Sequence, residues 1–184
     1  MRYEQIGDAI GGTPLVRVDA LLPAAARAKG IRLYAKVEML GPTGSIKDRT
    51  AKALIDDLHF RGLLAPGKEL LEPTSGNTGA ALAVHAAARG IPLTLVMPAN
   101  VTEERRAFVR ALGATIVDSP ADQGSNGAVA LARAMAKADS KYVSPDQYSN
   151  QANPKVHEVT TAPEILRSEE HTSELQSRFG ISYA

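Results

Sequence analysis

Apolar positions along the chain follow two periods, close to two residues over short runs and close to 3.6 over longer ones, and the alternation of these periods predicts the architecture. Residues 15–18 and 31–37 read as strands, the second placing Ile31, Leu33, Ala35 and Val37 on one face. Between them, Pro23 and an Ala-rich run predict a turn and one helical piece. From Ser45 the pattern turns helical, with Ile46, Ala53, Leu54 and Leu58 along one side, and it ends near Gly62 and Pro66. A strand at 69–72 is followed by a helix at 78–89, stopped by Gly90 in the left-handed capping position and by Pro92. Strands at 93–97, 115–117 and 142–143 then alternate with helices at 102–112 and 127–138. This β-α-β-α rhythm predicts an α/β fold of three layers, a parallel sheet with helices on both faces. Residues 167–184 carry no clear apolar period and read as a polar tail.

Composition narrows the class of function. The chain has 184 residues, of which 44% are hydrophobic, 22% charged and only 4% aromatic, so packing relies on small side chains in an ordinary globular core. The absence of Cys excludes a disulfide framework, a thiolate metal site and a Cys nucleophile. A formal charge of +1 gives no footprint for nucleic acid or an anionic membrane surface, which leaves small molecules as the expected partners. No run of 18 apolar residues and no basic-then-apolar leader is present, so a cytoplasmic location is expected. His59, His85, His157 and His171 have no paired ligand spacing, and no metal site is expected. Glu103 and Glu104, followed by Arg105 and Arg106, read as a solvated helix start.

Two clusters carry chemistry. In GPTGSIKDR, residues 41–49, the S-x-x-D spacing of Ser45 and Asp48 is that of a capping box, so a helix is expected to begin at Ser45. Lys47 then falls in the first turn, where the positive end of the helix dipole opposes an ammonium and favours the neutral amine used in Schiff-base or proton-abstraction chemistry. A lysine that merely sits beside Asp48 on a solvated surface fits the same spacing. The second cluster is EPTSGNTG, residues 72–79, between a buried strand and an Ala-rich helix. Thr74, Ser75, Asn77 and Thr78 offer hydroxyl and amide groups beside helix-start N–H groups open to an anion, and two glycines let the chain approach a ligand closely. A polar loop with an ordinary helix cap is the plainer alternative, although four small polar residues exceed what capping needs. The spacing matches neither the dinucleotide glycine pattern nor the P-loop.

Together the two clusters resemble the fold-type II pyridoxal phosphate enzymes, the tryptophan synthase β-like group, and within it the cysteine synthase and cystathionine β-synthase families. GGTPLV at 11–16, MP at 97–98, ERR at 104–106, ALGA at 111–114, QYSNQANP at 147–154 and TTAPEIL at 160–166 agree with this. The resemblance spans residues 4–166, and PTGSIKDR with GSN at 124–126 leans to the B type of cysteine synthase. It implies that Lys47 holds pyridoxal 5'-phosphate through its amine and serves as the base, that Asn77 bonds the cofactor's ring hydroxyl, and that Thr74, Ser75, Asn77, Thr78 and Gln147 bind the substrate. Tyr148, beside Gln147, could touch substrate or simply pack. The implied reaction is β-replacement, making L-cysteine from O-acetylserine or O-phosphoserine and sulfide or a sulfur carrier, in a homodimer. Cystathionine β-synthase and serine/threonine dehydratase chemistry are the neighbouring alternatives.

The resemblance also implies a division into residues 1–39 opening a large domain, 40–145 as a small mobile subdomain, and 146–166 returning to the large domain. Gly12 stands where the family has Asn, which suggests a looser turn, and Ala162 stands where Gly is usual. The family's phosphate-gripping glycine-rich loop and the serine facing the pyridine nitrogen belong beyond residue 166. Residues 167–177, RSEEHTSELQS, resemble the in-frame translation of a sequencing-library adapter, so the authentic sequence is expected to stop near Leu166 and residues 167–184 to be an artefactual tail. On that reading the chain is the N-terminal portion of the fold and is expected to be inactive alone, a non-catalytic fragment being the alternative to an enzyme.

Overall fold

The computed structural model describes residues 2–170. Residues 171–184, with His171, lie outside the described residues. Strands β1 (Leu15–Arg17) and β2 (Tyr34–Lys36) flank the short helix α1 (Ala24–Ala28). Helix α2 (Lys47–Phe60) precedes the repeating part of the chain: β3 (Glu69–Pro73), α3 (Asn77–Ala88), β4 (Leu93–Pro98), α4 (Glu103–Ala111), β5 (Thr115–Ser119), α5 (Gly124–Ala138) and β6 (Tyr142–Val143). Helix α6 (Ala152–Val156) passes through one wide π turn (His157–Thr161) into α7 (Ala162–Glu170).

Four strands form a parallel sheet in the order β5-β4-β3-β6, with Leu70 opposite Leu93 and Thr94 opposite Thr115. Strand alternation divides its side chains. Leu70, Leu93, Leu95 and Met97 face Ile55, Leu58, Leu82 and Val109 of α2, α3 and α4, whereas Leu71 and Val96 face Ala128 and Ala132 of α5. Every residue of β4 is buried, as a central parallel strand covered on both faces requires. Each large aliphatic side chain removed from water here contributes roughly 1.5–3 kcal/mol. Ala51, Ala81 and Ala86 are buried in the same layer, and their small side chains let the helices lie close. The expected α/β architecture is therefore present.

Three local expectations are corrected. β1 and β2 do not join the parallel sheet; they pair with each other, antiparallel, with Val16 opposite Ala35. α1, only five residues long, bridges them, too short to cross a sheet face as a parallel connection must. Ile46 is exposed, since it precedes α2 and Ala51, Leu54, Ile55 and Leu58 make the buried side. The polar segment after Leu166 is helical as far as Glu170, with the Ser168 hydroxyl donating to the Glu164 carbonyl at 2.9 Å.

The pieces outside the sheet are tied to α2 by Arg49. Its guanidinium is 2% exposed and donates to Glu38 at 2.8 and 2.9 Å, to Glu164 at 2.8 and 2.7 Å, to the Thr160 hydroxyl at 3.1 Å and to Thr13 at 3.3 Å. Lys36 completes the cluster, pairing with Glu164 at 2.6 Å and bonding the Thr13 carbonyl. Gly11 and Gly12 cross this cluster with φ of +94° and +60°. The second value lies in the left-handed region that Gly and Asn both tolerate, which accounts for Gly12 in the place of Asn. Ala162 needs no glycine, because its φ of −63° is helical.

Hydrogen bonds from Arg49, with help from Lys36, bring the Glu164 carboxyl from an ordinary 4.5 down to about 2. A folded value below the unfolded one stabilises fully above pH 4.5, and that stability is lost as pH falls toward about 2. Glu164→Gln is expected to cost roughly 3 kcal/mol at pH 7, a gap that closes as pH falls through this window in urea unfolding. A gap independent of pH would refute the ion-pair account. Close packing at Gly79 gives a second expectation, since a Cβ there would lie 2.6 Å from Thr74 Cγ2 and 3.3 Å from Leu95. Gly79→Ala should cost about 1–3 kcal/mol by overpacking, and an unchanged melting temperature would show that the loop before α3 gives way freely.

Candidate active site

The strand order places a natural crevice. From β3 the chain crosses through α3 to β4 on one side, while α5 on the opposite face carries it to β6 on the other side of β3. Loops leaving the carboxyl ends of β3 and β6 therefore diverge and leave a gap between them, the position where open α/β sheets bind ligands. The 74–76 loop and residues 147–148 stand at that gap. They line a cleft of about 150 Å³ with Thr78, Pro98, Ser125, Ala128 and Val129. Of the residues singled out in the sequence, Thr74, Ser75, Thr78 and Gln147 line this cleft together, and Tyr148, 77% exposed, stands at its rim. Lys47 and Asn77 do not line it.

Lys47 is the first residue of α2, as its first-turn placement requires, but the cap differs from the expected box. Ser45 lies before the helix and its hydroxyl accepts from the Lys47 N–H at 3.3 Å. Asp48 does not return to Ser45. Its carboxylate accepts from the Thr43 N–H at 3.0 and 3.2 Å and from the Thr43 hydroxyl at 2.7 Å, clamping the loop that leads into α2. Gly41 is required beside it, because a Cβ there would lie 2.5 Å from the Asp48 carboxylate. The Thr43 N–H and hydroxyl outcompete the Ser45 N–H for the same carboxylate. Asp48 and Arg49 are thus each saturated, while the half-buried Lys47 side chain has no hydrogen-bond or ion-pair partner among the described residues.

Helix α3 starts at Asn77 with no side-chain cap, which leaves N–H groups of its first turn open to a ligand. Arg105 of α4 steadies the loop before it, donating to the Ser75 carbonyl at 3.0 Å. Arg106 is not part of a solvated helix start; it is buried and pairs with Asp118 of β5 at 2.7 Å. Behind the cleft runs a chain of polar contacts. The Thr78 hydroxyl donates to Gln147 Oε1 at 2.9 Å, and Gln147 Nε2 donates to Glu72 Oε1 at 2.8 Å. Glu72 is 1% exposed, and burial pushes its carboxyl up to about 7, the Gln147 hydrogen bond opposing and the charge of Asp146 adding to the rise. Sequence reasoning missed Glu72, although its place one residue before the end of a strand otherwise buried was a signal. His157 packs beside α2, its ring nitrogens 3.4 Å from Thr50 and 3.0 Å from Thr161. Burial and the charges of Arg49 and Lys47 hold it below the ordinary histidine value.

Among the described residues no cluster of acidic and histidine side chains could hold a metal ion, and no helix is long and apolar enough to cross a membrane. The residues present do fit an aldehyde cofactor. A lysine with no counter-ion among the described residues, an uncapped helix start and the exposed amide of Asn77 would supply an amine, anion-binding N–H groups and a polar contact.

Comparison with known proteins agrees. A "Probable cysteine synthase" from Bacillus subtilis (strain 168) is 44% identical over 161 residues, covering 88% of this chain and 50% of the relative. "Cysteine synthase A" from Escherichia coli (strain K12) is 46% identical over 164 residues, covering 89% and 49%. Among solved structures, O-acetyl serine sulfhydrylase isoform 3 from Entamoeba histolytica superposes with a TM-score of 0.85 at 34% identity, covering 92% of this chain and 51% of that one. The chain spans about half the length of the curated relatives it matches. Residues 6–177 match the family described as pyridoxal-phosphate dependent enzyme, and the chain, with its α/β fold, belongs to that family.

Proposed function

We propose that this chain carries the amine and the carboxylate-binding half of an enzyme that makes L-cysteine by β-replacement. In that reaction the bond from the β-carbon of an activated serine, O-acetylserine or O-phosphoserine, to its leaving oxygen breaks, and a carbon–sulfur bond to sulfide or a sulfur carrier forms. The observation that carries the reading is the contrast at the start of α2. Asp48 and Arg49 are saturated by protein partners, and Lys47 between them and the solvent is not. A lysine consumed by an ion pair could neither condense with an aldehyde nor accept a proton. The relatives named as cysteine synthases support the choice of reaction.

Lys47 would hold pyridoxal phosphate through Nζ, with Asn77 at the ring hydroxyl. When bound, the cofactor supplies the electron sink for charge developing at the substrate's α-carbon. The protein's own groups do the rest. Thr74, Ser75, Thr78 and Gln147 would orient the α-carboxylate at the uncapped start of α3, where helix N–H groups favour an anion. Lys47 Nζ would take the α-proton, a role worth about 10²–10⁴-fold in rate for a well-placed base.

Reductive trapping tests the assignment. Pyridoxal phosphate is mixed with the 184-residue chain, borohydride reduces it onto whichever lysine amine it has condensed with, and peptide mass spectrometry locates the label. Labelling is expected to concentrate on Lys47 over the exposed Lys29, Lys137, Lys141 and Lys155, and to vanish in Lys47→Ala. Labelling spread evenly over the exposed lysines would overturn the proposal.

A further inference from the structure

The carboxylate of Glu72 has no role in the reaction outlined above, yet it is buried directly behind two of the residues that would hold the substrate. Its Oε1 accepts from Gln147 Nε2, and its Oε2 has no hydrogen-bond partner among the described residues. Chemistry fixes the direction of the chain. An ionised carboxylate only accepts, so the amide nitrogen of Gln147 must face Glu72 and the amide oxygen must face Thr78. The Thr78 hydroxyl proton is then spent on Gln147 Oε1 and is closed to a ligand in the cleft. Adding one proton to Glu72 reverses the order. A carboxylic O–H can donate to Gln147 Oε1, the amide turns by half a rotation, and Nε2 donates to Thr78 Oγ1. The hydroxyl proton of Thr78 becomes free; the amide nitrogen and oxygen of Gln147 exchange partners, and the three residues stay bonded in the same order.

We propose that Glu72 is a positioning residue which, by taking up a proton, turns the Gln147 amide and releases the Thr78 hydroxyl to donate to a carboxylate in the cleft. Binding of the carboxylate then takes one proton from solvent onto Glu72. This rests on the reading of the cleft as a carboxylate site.

The surroundings of Glu72 suit such a device. Burial and the nearby charge of Asp146, against hydrogen bonds from Gln147 and the Asp146 backbone N–H, put its carboxyl at about 7, so both states are accessible near neutrality. Arg133 of α5, the charged group that approaches from the opposite face, lines the same small cavity as Glu72 and Asp146. β4 contributes no ionisable residue, and His85, the only one in α3, lies two turns beyond Thr78. Asn153 of α6 donates to the Gln147 carbonyl at 2.8 Å, which holds the backbone still while the side-chain amide turns. An amide pinned between an acceptor-only carboxylate and a hydroxyl is free to exchange its two ends once the carboxylate can donate.

Calorimetric titration of L-serine into the 184-residue chain, in two buffers of different ionisation enthalpy, reads the coupling directly. From about one pH unit above the Glu72 midpoint of about 7, uptake should approach one proton per L-serine bound. Affinity should fall about tenfold per pH unit beyond it. L-serinamide, which lacks the carboxylate, should show neither effect. In the isosteric Glu72→Gln, proton uptake should vanish and affinity become flat across the same range. L-serine binding without proton uptake, or equal uptake in Glu72→Gln, would overturn the proposal. A second measurement needs no ligand. The side-chain amide signals of Gln147 in nitrogen-15 NMR spectra should move with one midpoint near 7 in the parent chain and stay fixed in Glu72→Gln. Signals that do not move in the parent chain would overturn the switch. A chain that binds no L-serine at any pH would overturn the carboxylate-site reading instead, with the switch judged by the NMR titration alone.

Discussion

The site depends on one buried guanidinium. Arg49 lies in the first turn of α2, and its donors are divided between Glu38 after β2, Glu164 in α7, Thr160 in the π turn and Thr13 before β1. Three segments separate in sequence therefore meet α2 at one planar group, and three of the motifs noted in the sequence contribute to it: GGTP through Thr13, KDR through Arg49, TTAPE through Thr160 and Glu164. A guanidinium at 2% exposure is tolerated only because these partners replace its water shell. Loss of a single carboxylate would leave the charge half-compensated, which costs about 3–5 kcal/mol in buried pairs. Because Asp48 and Lys47 occupy the same turn, the position of the Lys47 amine is inherited from this cluster.

The cluster also accounts for the state of its neighbours. Arg49 engages both carboxylate oxygens of Glu164, and Lys36 shares one of them, so Glu164 is fully committed to the cluster. His157, packed against the same helix, is kept below its ordinary value by burial and by the charges of Arg49 and Lys47. A protonated histidine there would add another positive charge to a region already holding two. A neutral ring instead serves as a hydrogen-bond partner for Thr50 and Thr161, joining α2 to the wide turn that carries Thr160 to Arg49.

Much of this was legible in the sequence, and the parts that were not have common physical causes. Periodicity located every strand of the parallel sheet and the helices between them, because strands buried on both faces and helices with one apolar side leave strong patterns. It failed for the pairing of β1 with β2, since a three-residue strand carries no record of its partner. Local spacing suggested a capping box at Ser45 and Asp48, and the Thr43 N–H and hydroxyl took the carboxylate instead, a competition that spacing cannot express. Arg106 read as solvated because its partner, Asp118, comes from β5. Glu72 was passed over for the same reason: its importance lies in Gln147, 75 residues away, and only the return of the chain beside β3 brings them together.

The two polar clusters are built for different tasks, and the difference lies in how many of their groups are committed. Around Arg49 every donor meets a charged or hydroxyl acceptor, so no rearrangement can keep the same number of bonds, and the start of α2 is held in one place. Along Glu72, Gln147 and Thr78 the partners are a carboxyl with one idle oxygen, an amide with two interchangeable ends and a hydroxyl that can donate or accept. Such groups can exchange roles without losing a hydrogen bond, so the barrier to change is that of a side-chain torsion rather than a buried ion pair. A saturated ionic cluster holds the start of α2 in one place, while an exchangeable hydrogen-bonded chain leads from β3 to the start of α3. The topology that places the loops of β3 and β6 at the same crevice is what brings the second of these to the cleft.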